Sequence, residues 1–104
     1  MHGRMARYTY TGDAHELASI AEEGIVPILQ GVSGFKSYSI VVNDKEVISF
    51  SAWETAEDAE EANKAVAAWV ADNLADRIQL IETQFGELVV STALGVSTKA
   101  GITA

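Results

Sequence analysis

Residues 35–55 read FKSYSIVVNDKEVISFSAWET, and how that stretch pairs with itself decides the fold. Phe35 to Val42 and Glu46 to Trp53 are two runs of β-branched and aromatic residues, separated by the turn formers Asn43-Asp44-Lys45. The stretch reads as a β-hairpin. If residue 42 faces residue 46, Tyr38, Ile40, Val42, Ile48, Phe50 and Ala52 share one face, and Ser37, Ser39, Val41, Val47, Ser49, Ser51 and Trp53 share the other. A tighter turn mixes the two sets, because a slip of one residue in one strand turns its side chains over. The first register is expected, since it sorts apolar residues from serines and supplies hydroxyls to a cavity wall.

Upstream, Met5 to Thr11 alternates Tyr8 and Tyr10 against Arg7 and Thr9, which predicts a short strand ended by Gly12-Asp13. Apolar or small residues then fall at Leu17, Ile20, Ala21, Gly24, Ile25, Ile28 and Leu29, one face of a helix that Asp13 caps, with Glu16 three residues on. Pro27 removes a backbone donor inside this pattern and predicts a kink, or an end near Val26. Downstream, Thr55-Ala56-Glu57-Asp58 opens a second helix, whose stripe runs Ala59, Ala62, Val66, Ala67, Trp69, Val70, Leu74 toward Ile78. The acids of its first turn, Glu57, Asp58, Glu60 and Glu61, suit the helix dipole and read as a solvated face, with no metal site. Leu80 to Thr92 predicts a long last strand broken or bulged at Gly86, and Gly95 to Ala104 a tail held loosely unless a partner subunit ties it down.

The order β, α, β, β, α, β predicts an α+β domain of ferredoxin-like design, an antiparallel sheet with both helices on one face. At 104 residues the chain is one domain, its core spanning about residues 5–92. Bulky strand residues of both parities leave the other sheet face in need of cover, so a homodimer through that open face is expected. The formal net charge of −8 repels phosphate backbones and anionic lipid, which argues against nucleic acid and membrane partners. No apolar run approaches the roughly 18 residues of a membrane span, and the first residues show no secretory signal, so a cytoplasmic address is expected. With no cysteine, thiolate catalysis and sulfur-ligated metal sites are excluded, and no phosphate loop or metal-spaced ligand set is present.

Gly34-Phe35 opening a strand, followed by Val47-Ile48-Ser49-Phe50-Ser51-Ala52-Trp53-Glu54-Thr55 running into an acidic, Ala-rich helix, resembles the antibiotic biosynthesis monooxygenase family over roughly residues 5–92. The resemblance implies a dimeric α+β barrel. It also implies a cofactor-free oxygenase chemistry on a small aromatic or quinol-type metabolite, in a pocket where an Asn, a Trp and a Tyr orient the substrate. Asn63, Trp69 and Tyr38 are the residues this chain offers for those catalytic roles, and Trp53, Ser49, Ser51 and His15 are candidates for substrate contact. Relatives that degrade haem need an iron-ligating His on the second helix and an Asn in the first strand, and this sequence has neither. The alternative reading is a non-catalytic dimer of the same fold that binds a small apolar ligand or serves as a scaffold.

Overall fold

In the computed structural model, which describes residues 1–99, the chain forms strand β1 (His2–Tyr10), helix α1 (Ala14–Gln30), strands β2 (Phe35–Val42) and β3 (Glu46–Trp53), helix α2 (Ala56–Asn73) and strand β4 (Ile78–Glu87). This is the ferredoxin-like α+β arrangement. The four strands make one antiparallel sheet in the order β2-β3-β1-β4. Leu29, Ile25 and Ala21 of α1 meet Ala59, Ala62 and Val66 of α2 over Trp53, so both helices bury their apolar stripes on one sheet face. Among the described residues, no helix is long and apolar enough to cross a membrane.

The caps form where the sequence placed them. Asp13 Oδ1 accepts from the His15 and Glu16 amides at 2.8 and 3.2 Å, and Thr55 Oγ1 accepts from the Asp58 amide at 3.2 Å. Gly34, at φ +79°, turns the chain into β2 where a Cβ would stand 2.2 Å from an Asp58 carboxylate oxygen.

Three expectations are corrected, and of the two alternatives at Pro27 the end near Val26 is removed. The hairpin takes the tighter turn: the Asn43 amide bonds to the Glu46 carbonyl, and Asn43 Oδ1 accepts from the Lys45 and Glu46 amides. Val42 therefore pairs with Val47, and Tyr38, Ile40 and Val42 share the helix-facing side with Val47, Ser49, Ser51 and Trp53. Strand β1 begins at His2 rather than Met5, because as a central strand it is paired on both sides to its start, His2 opposite Trp53 and Glu87. Helix α1 continues through Pro27 to Gln30; Glu23, whose carbonyl loses its donor to the proline, is exposed, so water can take that bond. Strand β4 spans Ile78–Glu87 and bulges at Ile81, where the register shifts between Arg7 and Tyr8, while Gly86 pairs in register with Gly3. The strand stops at Glu87, opposite His2, and one further backbone bond, from the Leu88 amide to the Met1 carbonyl at 2.9 Å, closes the ladder. The chain then turns, with Ser91 and Val96 exchanging backbone hydrogen bonds; the last five residues of the expected tail lie outside the described residues.

Candidate functional site

The site begins with strand parity. On β1 the side chains of Arg4, Ala6 and Tyr8 face the helices and are buried. Across the sheet, Tyr38 of β2, Ser51 of β3, Arg4 of β1 and Phe85 of β4 stand in one row, and Ile40, Ser49, Ala6 and Thr83 in the next. Helix α2 lays Asn63 over this surface. Arg4 Nε donates to Asn63 Oδ1 at 2.6 Å, and its Nη1 and Nη2 lie 3.5 Å from Ser49 Oγ and Tyr8 OH. An arginine cannot accept, so the oxygen of the Asn63 amide is the atom turned toward it. The Asn63 NH2 makes no hydrogen bond among the described residues and is available to donate.

Next to Ser49 and Tyr8 of this polar group is a void of ≈ 30 Å³ between sheet and helices, with Tyr8, Tyr38 and Ser49 among otherwise apolar walls such as Leu17, Ile25 and Val66; Arg4 and Asn63 are not part of its lining. Tyr38, Ile40 and Ala18 also border an open groove of ≈ 370 Å³ between α1 and the edge strand β2, to which His15, Ser19 and Glu22 contribute. Tyr38 and Ile40 thus divide an interior void from a surface entrance. Burial, and then the neighbouring Tyr8, push the Tyr38 hydroxyl up to about 12, with Arg4 pulling the other way. Tyr38 is a proton-bearing donor at any physiological pH.

No protein-family model matches this sequence, and no curated protein is detectably similar to it. The fold, in contrast, superposes on solved structures. SnoaB, a cofactor-independent oxygenase from Streptomyces nogalater, aligns over 88% of this chain and 95% of its own with a TM-score of 0.69 at 14% identity. A Nitrosomonas europaea protein provisionally classed as an antibiotic biosynthesis monooxygenase gives 0.68 at 15% identity, over 86% and 100% of the two chains. A dimeric ferredoxin-like protein from an uncultured marine organism gives 0.63 at 10% identity, over 88% and 97%. This chain has their fold. It is the fold that the hairpin ending in Trp53-Glu54-Thr55 predicts, reached with a largely different set of side chains.

Within the SnoaB-like fold the candidate residues separate into groups. Asn63, Ser49 and Tyr38 are brought to the same layer as Arg4. Trp69 packs on α1: a Cβ on Gly24 would stand 1.9 Å from its Cζ2, so the indole clamps the two helices together and does not line the void. Trp53 is fully buried, packs against Phe35 with the rings tilted 58° and 5.3 Å between their centres, and donates from Nε1 to Ser51 Oγ at 2.9 Å. That bond occupies the Ser51 hydroxyl within the core. His15 is exposed at the start of α1 and borders only the outer groove. Arg4 and Tyr8 are site residues that the pattern of the sequence does not mark. The alternation that marks Tyr8 as strand carries back through Ala6 to Arg4, a signal available once the strand is begun at His2.

Proposed function

We propose that this protein is a monooxygenase-like enzyme of the cofactor-independent kind, acting on a small aromatic or quinol-type metabolite between α1, α2 and the sheet. The observation that carries the reading is the hydrogen-bonded group Arg4–Asn63–Ser49–Tyr8 set inside an apolar layer, in the fold of a cofactor-independent oxygenase. Few polar groups converging in an apolar enclosure are what orient a flat aromatic ligand. The Asn63 NH2 and the Tyr38 hydroxyl are the donors a ligand oxygen would meet, and Trp69 and Trp53 keep the helices and sheet end in place around them.

The chemistry is the conversion of an activated methylene to a carbonyl. The methylene loses a proton, and the carbanion's electron pair forms a C–O bond to O2. The peroxide anion takes up a proton, the second C–H proton leaves, and the O–O bond breaks to give a carbonyl and water. One O2 is consumed per methylene, one oxygen entering the product and one the water. Donors aimed at the substrate oxygen favour the ionised form and so lower the cost of the first step. We further propose that the enzyme is a homodimer through the open sheet face, where Met5, Val41, Ile48 and Phe50 stand together.

A second reading, a non-catalytic dimer of this fold, is favoured by the size of the void: ≈ 30 Å³ has room for about one water and not for a ring, so a ligand enters only if α1 and β2 part at Tyr38 and Ile40. Oxygen uptake with anthrone as probe decides between them. In the enzyme reading the wild type consumes O2, and Asn63→Ala melts cooperatively but loses turnover. In the scaffold reading there is no uptake, and Asn63→Ala changes only stability, by about 1 to 3 kcal/mol.

A further inference from the structure

Two arginines on β1 lie on opposite faces of the sheet and in opposite electrostatic surroundings. Arg7, on the open face, takes both oxygens of Glu46 at 2.9 and 2.8 Å and one oxygen of Glu82 at 2.5 Å. Arg4, on the helix face, is only 6% exposed and no carboxylate reaches it among the described residues. Its acceptors are an amide oxygen and two hydroxyls, and two of those three contacts are at the 3.5 Å limit of a hydrogen bond. Of five guanidinium N–H groups, two are left with no protein acceptor. Burying a cation without a counter-ion is costly, and arginine is seldom buried unless paired.

The direction of the unused donors is set by Asn63. By holding Nε it leaves the Nη1–Nη2 edge of the fork turned to Ser49 and Tyr8, which line the interior void while Arg4 itself is not part of its lining, so a ligand reaches the guanidinium by passing between those two hydroxyls. That edge is the one a carboxylate or phenolate oxygen meets. We propose that Arg4 is a substrate-binding residue that takes the oxyanion of an aromatic ligand, a carboxylate or an ionised phenol, entering between α1 and β2. The inference rests on the reading of this layer as a ligand site, and it does not require turnover. An anion there supplies the missing counter-charge, replaces two long contacts by charge-assisted bonds, and leaves its ring against Leu17, Ile25 and Val66. With a formal net charge of −8 the protein as a whole repels anions, so selection for one falls to this single buried cation.

The test compares 2-naphthoate with its neutral isostere 2-naphthamide by equilibrium titration of the purified protein, with 2-naphthol as a third probe whose absorbance reports ionisation. The wild type is expected to bind naphthoate at least about tenfold more tightly than naphthamide. Arg4→Met should abolish that preference and Arg4→Lys should keep part of it. Asn63→Asp, which hands Arg4 a carboxylate in place of the amide and so is built to fold, should also abolish it. Ionisation of bound naphthol below its solution range assigns the phenol as an accepted source of the oxyanion; naphthol bound in its neutral form assigns the carboxylate. Equal binding of naphthoate and naphthamide, no binding of either, or a preference that survives in Asn63→Asp overturns the proposal. Oxygen uptake with anthrone, measured separately on the same protein preparations, keeps the two readings apart. A charge preference without uptake upholds the anion site and removes the oxygenase, whereas uptake without a charge preference removes the role of Arg4 alone.

Discussion

Tyr38 joins the interior void to the outer groove, and its hydroxyl, held up at about 12 against an ordinary 10.0, reports how closed that junction is. Its folded value lies above its unfolded one, so its contribution to stability is fully present below pH 10.0 and is lost as pH rises toward 12. Between those values the unfolded chain has released a proton that the folded chain keeps. Two units correspond to about 2 to 3 kcal/mol. Urea midpoints followed from about pH 9 to about pH 12 should fall more steeply for the wild type than for Tyr38→Phe; parallel curves would mean that Tyr38 is open to water. At this scale the sequence was partly legible. Asn63 stands on the edge of the α2 stripe, and its inward direction could be read from a spacing of three residues to Val66. Arg4 could not, because a charged residue three positions from the first methionine carries no apolar signal; its burial follows only from its parity with Tyr8 and from the amide that α2 brings to it.

Helix α1 and helix α2 touch through a glycine and a tryptophan. Replacing Gly24 by alanine raises helix propensity by up to about 1 kcal/mol, but the new methyl would stand 1.9 Å from Trp69 Cζ2 and 2.4 Å from Cε2. A ring carbon, unlike the end of a flexible chain, cannot step aside without moving the indole, and overpacking of this kind costs about 1 to 3 kcal/mol. Gly24→Ala is therefore expected to lower the free energy of unfolding, measured by urea titration, in spite of its better helix-forming residue. A net stabilisation would place Trp69 elsewhere. Element boundaries that depend on local chemistry were readable: the two caps, and the ends of β2 and β3. Boundaries set by a neighbour were not. β4 ends at Glu87, level with the start of β1 at His2, and its bulge at Ile81 lies where the register against Arg7 and Tyr8 shifts, neither of which is written in residues 78–87.

For the whole molecule the open sheet face is an apolar surface with no helix over it among the described residues. Phe50 and Val41 keep 46% and 49% of their surface exposed there, beside Met5 and Ile48. Burying such a patch against a second copy would give a two-sheet barrel. Native mass spectrometry is expected to find a dimer for the wild type and a monomer for Phe50→Glu, which places a charge in the middle of the contact; a monomeric wild type removes the barrel. The sequence by itself determined the element order, the single domain, the caps and the excess of bulky strand residues over what one helical layer can cover. Each of these follows from local periodicity, turn chemistry or composition. Only the tertiary structure decided the hairpin register and the surroundings of Arg4. The register turns on one residue fewer in the loop between Asn43 and Glu46, held by two bonds to the Asn43 side chain and one from its own amide. The surroundings of Arg4 depend on Ser49 and Asn63, 45 and 59 residues away along the chain, which meet it only after sheet and helix have packed.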